Sequence, residues 1–257
     1  MSKYGMLISY DGSNYGGWQT QSNAISIQSL IENALSIAIK EPISIIGSGR
    51  TDAGVHALGQ VAHFETNSLF NLYKVQHSLN GILPKDIRIL KLYPVLEDFH
   101  ARYSATGKTY HYHLHLDRVS DPFTRLYSWH IPYEIDLPSL EEAILLFIGT
   151  KDFTAFANES HKGAAAKNGV RTLRRIDVIK EPHGVRLEFE GTGFLYKMVR
   201  NITGTLVDIA AGKMTKKELE SIFTSKDRKK AGTAAPAQGL FLMKVDYDNK
   251  NSLKEEN

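Results

Sequence analysis

The densest chemistry-bearing stretch of the chain is Gly47-Ser48-Gly49-Arg50-Thr51-Asp52-Ala53-Gly54-Val55-His56-Ala57, where a cation, a carboxylate and an imidazole ride on backbone freed by three glycines. A phosphate-cradling P-loop needs Gly-x-x-x-x-Gly-Lys-Ser/Thr and a dinucleotide fingerprint needs Gly-x-Gly-x-x-Gly. No lysine follows here and position 52 is an aspartate, so neither fits. Taken alone, the stretch is also open to an ordinary account: Asp52 holds a turn, Arg50 is a solvated charge, and His56 and His63 are turn or sheet residues whose ring nitrogens find backbone partners. His111, His113 and His115 form a second cluster, alternate residues on one strand face, a pattern that suits zinc. Same-face neighbours stand ~7 Å apart and no acidic or cysteine partner lies nearby in sequence, so the expectation is a solvated face and no metal.

Basic and aromatic residues also interleave, at Trp18-Gln19, Arg102-Tyr103, Lys108-Thr109-Tyr110, Arg171, Arg174-Arg175, Lys197, Arg200 and Lys226-Asp227-Arg228-Lys229-Lys230. That interleaving matches a phosphate-and-stacking surface, while scattered solvated charge around a few buried aromatics fits the spacing as well.

Several elements are legible around these residues. Residues 4–10 form an apolar run of high strand propensity leading into the turn-rich Asp11-Gly12-Ser13-Asn14-Tyr15-Gly16-Gly17. Ser26 has an N-cap side chain, and Ile27, Leu30, Ile31, Ala34, Leu35 and Ala38 follow it with helical spacing. Strands are expected at 43–46 and 60–65, a helix at 72–83 stopped by Pro84, and a strand at 87–93. Residues 108–117 alternate strictly, with Tyr110, Tyr112, Leu114 and Leu116 against Thr109, His111, His113 and His115. A helix is expected at 136–149, closed by Gly149, followed by strands at 171–180 and 185–191.

Residues 194–211 carry an apolar stripe, and at ~100° per residue Lys197, Arg200, Gly204 and Asp208 fall on its opposite side. Thr215-Lys216-Lys217-Glu218 fits a capping box, and 240–247 reads as a last strand before a polar tail expected to be disordered. The order of elements predicts an α+β fold: two similar halves with largely antiparallel sheets flanked by helices, divided as 1–104, 105–248 and a tail at 249–257.

Length and composition set wider bounds. The 257 residues, 42% hydrophobic and 23% charged, are those of a folding chain with room for one or two cores. With no cysteine there is no disulfide, thiolate metal site or thiol nucleophile. No apolar stretch of membrane length and no signal-like start is seen, so the expected location is the cytoplasm. The formal net charge of +3 favours nucleic acid only weakly, which leaves the placement of charge to decide.

Six ordered segments then carry a family likeness. They are Tyr10-Asp11-Gly12-Ser13-Asn14-Tyr15-Gly16-Gly17-Trp18-Gln19, Gly49-Arg50-Thr51-Asp52-Ala53-Gly54-Val55-His56-Ala57, Lys108-Thr109-Tyr110-His111-Tyr112, Phe153-Thr154-Ala155-Phe156, Phe194-Leu195-Tyr196-Lys197-Met198-Val199-Arg200-Asn201 and Ala231-Gly232-Thr233-Ala234-Ala235-Pro236-Ala237-Gln238-Gly239-Leu240. In these the chain resembles the tRNA pseudouridine synthase A family from its first strand to its last.

The resemblance implies the pseudouridine synthase fold and isomerisation of uridine to pseudouridine on the 3′ side of the tRNA anticodon stem-loop. The N1–C1′ bond breaks, the uracil turns, and the ring rejoins through C5, with no cofactor. It implies Asp52 as the nucleophile, attacking C1′ or C6, or as the base of a glycal route, with Arg200 as its basic partner. Tyr110 would cover the target base and accept the C5 proton, and a strand-core tyrosine is its structural alternative. Arg50 would grip phosphate or fill the gap left by a flipped uridine, and Thr51, His56 and Lys197 would join it and Tyr110 in binding substrate. A homodimer acting on tRNA is implied as well.

Overall fold

The computed structural model describes residues 1–158 and 168–248, and the expected tail at 249–257 lies outside them. In chain order the elements are β1 (Ser2–Tyr10), α1 (Ile27–Ile39), β2 (Ile46–Gly47), β3 (His56–Thr66), α2 (Leu72–Ile82), β4 (Ile87–Pro94), β5 (Ala105–His115), β6 (Trp129–His130), α3 (Leu137–Ile144), β7 (Gly149–Asp152), β8 (Val170–Glu181), β9 (Gly184–Gly191), α4 (Met198–Ala210), α5 (Lys216–Ser225) and β10 (Leu240–Tyr247). The fold is α+β. Two compact units divide it, one formed by Met1–Lys108 with the chain from Phe241 onward, the other by Thr109–Leu240.

In the first unit the strands run β4-β1-β3-β10, with β2 beside β3. β1 lies antiparallel to β3 and β4, while β10 joins β3 in parallel at Phe241 and His56. Met6, Ile8 and Tyr10 point alternately inward from β1, and β3 is buried along most of its length. Ser26 caps α1 by accepting the Ser29 N–H, and the helix buries Ile27, Ile31, Ala34, Leu35 and Ile39 before Lys40 closes it in a left-handed conformation. Each such side chain contributes ~1.5–3 kcal/mol of burial. Along β4, Asn80 of α2 both donates to the Ile89 carbonyl and accepts from its N–H, so a side chain satisfies these strand groups.

Residues 43–45 are not the strand that their apolar character suggests. The Ile43 N–H donates to Ser36 Oγ and the Ile45 N–H to Glu32 Oε1, so side chains of α1 take the amides that a partner strand would have used.

The second unit orders its strands β5-β9-β8-β7, with β6 parallel to β5 and the β7–β8–β9 pairs antiparallel. The helix expected to reach Gly149 stops at Ile144. The amides of Leu146 and Phe147 fold back three residues, to Ala143 and Ile144, a tighter turn that leaves Leu145 exposed and buries Phe147 5.0 Å from the Phe156 ring. Gly149, at φ +103°, begins β7. The helix expected from 194 starts only at Met198, because Lys197 adopts φ +60° and breaks the helical path. The capping box on α5 is present as read, with Thr215 and Glu218 each bonding the other's backbone N–H.

His63 shows how tightly β3 is enclosed. It is 3% exposed, and its Nδ1 accepts the Ala101 N–H at 3.1 Å, which requires a lone pair on that nitrogen. Burial, reinforced by His100 and Lys3, pushes its pKa down to about 4. Between about 4 and the ordinary value near 6.5 the unfolded chain binds the extra proton, so stability is complete above about 6.5 and falls as pH drops through that window, by at most about 3 kcal/mol. His63→Asn keeps an acceptor without a titrating ring. Urea unfolding across this range is expected to show a shallower acid loss in the variant, and an unchanged slope contradicts the assignment.

Candidate active site

In the first unit, Arg50, Thr51 and Asp52 share the loop between β2 and β3, with His56 opening β3 at its end, and the loop backbone is held almost residue by residue. The Ser48 N–H donates to Val61 O at 2.7 Å, Ser48 Oγ bonds Gln60 Oε1, and Gln60 Nε2 donates to Gly49 O at 3.0 Å. Thr51 O accepts the Trp18 N–H at 3.1 Å, and its hydroxyl pairs with Tyr10 OH at 2.8 Å. Asp52 O accepts the Val55 N–H at 3.1 Å, closing a turn in which Gly54 takes φ +79°. Asp52 itself is half-buried at the head of that turn.

The turn-rich segment after β1 is the bed on which this loop lies. Gly17, at φ +96°, leaves no room for a Cβ, which would come within 2.6 Å of Thr51 O; at Gly12 it would stand 2.0 Å from Val55 O. The Gly12 N–H donates to His56 Nδ1 at 3.0 Å, and Asp11 Oδ1 lies 3.1 Å from the same nitrogen. His56 is 1% exposed, its ring stacked 4.5 Å from Phe241. It sits beneath the loop as a support. Arg50 is exposed, and its Nε donates to Gln19 Oε1 at 3.1 Å. Trp18 is 2% exposed beside Gly47, so it anchors the loop and cannot serve as a stacking platform.

In the second unit, Tyr110 on β5 is buried, its ring edge-on to Phe194 at 4.9 Å. Phe194 belongs to the segment that leads into α4, where Lys197 holds its left-handed backbone with Nζ 5.3 Å from the Tyr196 ring. Arg200 lies in the first turn of α4. Its Nε donates to Ala235 O at 2.7 Å while its carbonyl accepts the Ala235 N–H at 3.0 Å, so one residue grips both sides of that stretch of backbone.

The side of α4 opposite its apolar stripe is therefore covered by residues 231–236. Gly204 permits the approach, since a Cβ there would be 1.8 Å from Thr233 O. Arg228 fastens the same segment, donating to Ala231 O, Gly232 O and Asn201 Oδ1, while Asn201 donates to Phe156 O and Asn158 Oδ1. Tyr112 OH donates to Pro236 O at 2.7 Å.

Two sequence expectations change. His111 and His113 do have acidic neighbours, brought by the adjoining strands: Glu188 Oε1 lies 3.5 Å from His111 Nε2, and Glu181 Oε2 lies 2.9 Å from His113 Nδ1. Arg174 and Arg175 are both paired with carboxylates. Arg174 pairs with Glu190 at 3.4 Å, and Arg175 reaches Asp177, Glu188 and Glu190, the last at 2.9 Å. Of the basic run after α5, Lys226 pairs with Asp152 and Arg228 is turned inward, leaving Lys229 and Lys230 exposed. Sequence reading overlooked Gln60, Asn201 and Arg228 as supports; a polar amide inside an apolar strand or helix stripe is the signal that marks the first two. Among the described residues, no group of three or more His, Asp or Glu side chains is placed to hold a metal ion.

A family model described as tRNA pseudouridine synthase matches residues 6–104 and 143–248, and the chain belongs to that family. Within it, the chain is similar to proteins named tRNA pseudouridine synthase A. It is 56% identical to "tRNA pseudouridine synthase A 1" of Protochlamydia amoebophila (strain UWE25), over 98% of this chain and 98% of that protein. It is 43% identical to the protein of Acetivibrio thermocellus, over 94% of this chain and 98% of the relative, and 43% identical to "tRNA pseudouridine synthase A 2" of Clostridium tetani, over 95% and 98%.

The glycine bed yields a paired prediction. Gly17→Ala places a Cβ in left-handed backbone and against Thr51 O, and is expected to cost on the order of 1–3 kcal/mol. Gly81→Ala in α2 meets nothing within 4 Å and is expected to gain up to about 1 kcal/mol from helix propensity. Chemical denaturation checks both signs, and a stable Gly17→Ala protein contradicts the packing described.

Proposed function

We propose that this chain isomerises uridine to pseudouridine in the anticodon stem-loop of tRNA, with Asp52 as the nucleophile. One observation carries the reading: a chain of the tRNA pseudouridine synthase family holds a half-buried aspartate at the head of a loop whose neighbouring residues are nearly all fixed by hydrogen bonds or glycine contacts. Such fixing suits a reaction that needs a carboxylate held within a few tenths of an ångström of the sugar or base. The N1–C1′ bond breaks as Asp52 takes the electrophilic carbon, the freed uracil rotates, and C5 displaces the carboxylate. The C5 proton leaves and N1 gains one, so the product has the atoms of the substrate.

Tyr110 is assigned to cover the target base and to receive the C5 proton. Arg200, its Nε engaged with Ala235 O, is assigned as the basic partner of the nucleophile, the role that the family resemblance implies. Arg50 and Lys197 are assigned to RNA phosphate, and Thr51 and His56 to holding the loop against substrate. The target uridine must leave its stack before its C1′ can be reached. The working unit is proposed to be a homodimer acting in the cytoplasm.

Rejoining through C5 expels the hydrogen there, so tritium release from tRNA labelled at uridine C5 reports the reaction. Asp52→Asn is expected to fold and bind tRNA within about twofold of wild type and to release at least about 10³-fold less tritium. Substantial turnover by the variant contradicts the assignment, and tRNA binding without release by wild type contradicts the activity.

A further inference from the structure

We propose that Lys108 is a positioning residue for the Asp52 loop, and that its ammonium charge, beyond the hydrogen bond it makes, keeps the loop in its reactive form. The inference rests on the assignment of Asp52 above. Lys108 stands two residues before Tyr110 in β5, and its Nζ reaches back 60 residues to donate to Ser48 O at 2.8 Å. Ser48 is the point where the chain leaves β2 for the loop. Gly49 follows, and a Cβ there would come within 2.5 Å of Lys108 Nζ, so the glycine makes space for the ammonium. Gln60 holds the same two residues through Ser48 Oγ and Gly49 O. The start of the loop is thus gripped by an amide and by a cation.

A neutral donor would satisfy Ser48 O equally well and would avoid the cost of taking a charge out of water. That cost is visible: burial, with the nearby Arg102 guanidinium adding to it, pushes the Lys108 amine down to about 8. Among the described residues, Arg102 is the charged group that adds to this depression, and Ser48 O accepts the amine's hydrogen bond. A charge kept at such a cost stands at the root of the loop that carries Asp52 and that must receive a polyanion. When the amine loses its proton the hydrogen bond can survive, but the positive potential under the loop does not.

The test follows kcat and KM for tritium release from C5-labelled tRNA between about pH 6 and about pH 9.5, for wild type, Lys108→Arg and Lys108→Met, with the melting temperature of each reporting its folding. Wild type is expected to lose kcat on the alkaline side. Lys108→Arg, whose charge does not titrate in this range, is expected to keep kcat within about threefold and to lose much less of it at high pH. Lys108→Met is expected to lose on the order of tenfold or more in kcat with KM within about twofold. Ionisation of the substrate is common to all three and cancels in the comparison.

A wild-type alkaline fall retained in full by Lys108→Arg overturns the inference. So does a rise in KM with unchanged kcat in Lys108→Met, which would make the residue a phosphate contact. Should Lys108→Met fail to fold, the Lys108→Arg profile decides alone. No release by wild type at any pH overturns the proposed function and this inference with it, whereas release with an unaltered Lys108→Arg profile overturns this inference only.

Discussion

The structure of the first unit depends on one constraint: the backbone from Ser48 to Val55 turns sharply through a buried region, and its peptide groups must find partners while Asp52 stays at the head of the turn. Strand pairing cannot supply those partners, because the segment has left β2 and has not yet entered β3. They come instead from Val61 and Gln60 on β3, from Trp18 on the segment beneath, and from Lys108, while Tyr10 of β1 holds the Thr51 hydroxyl. Gly12 and Gly17 are glycines for the same reason, since the loop backbone lies where their side chains would be. Loss of any one partner leaves a buried polar group unpaired, at about 1–3 kcal/mol.

The second unit solves a related problem by similar means. Residues 231–236 cross a helix without regular pairing, and cations take their carbonyls: Arg200 holds Ala235, and Arg228 holds Ala231 and Gly232. Gly204 opens the helix to Thr233 as Gly12 opens its turn to Val55. In each unit, then, a basic side chain that composition would assign to the RNA surface is turned inward to fix a loop. A formal net charge of only +3 agrees with this use of charge, as do the arginine–carboxylate pairs along β8 and β9.

Local signals were legible in the sequence and non-local ones were not. Ser26, the Thr215–Glu218 box and the bounds of β10 could be read because a cap or an alternation is decided within a few residues. Residues 43–45 misled because apolar character cannot tell a strand from a segment tied to helix side chains. The ends of α3 and the start of α4 shifted because a three-residue turn at Phe147 and a left-handed Lys197 are set by packing around them. Asp52, Tyr110 and Arg200 could be named from motifs, but the hold of Lys108 on Ser48 spans 60 residues, and the pairing of His111 and His113 with acids depends on strand register.

The central claim is that Asp52 attacks the substrate from a loop that cannot yield. Denaturing the enzyme during its first turnover of tRNA, before C5 has displaced the carboxylate, keeps the ester between Asp52 and the target nucleotide attached to the protein. Peptide mass mapping after digestion is predicted to find the nucleotide on the peptide that contains Asp52. Attachment to any other residue, or turnover with no attachment at any time in the first cycle, would contradict it.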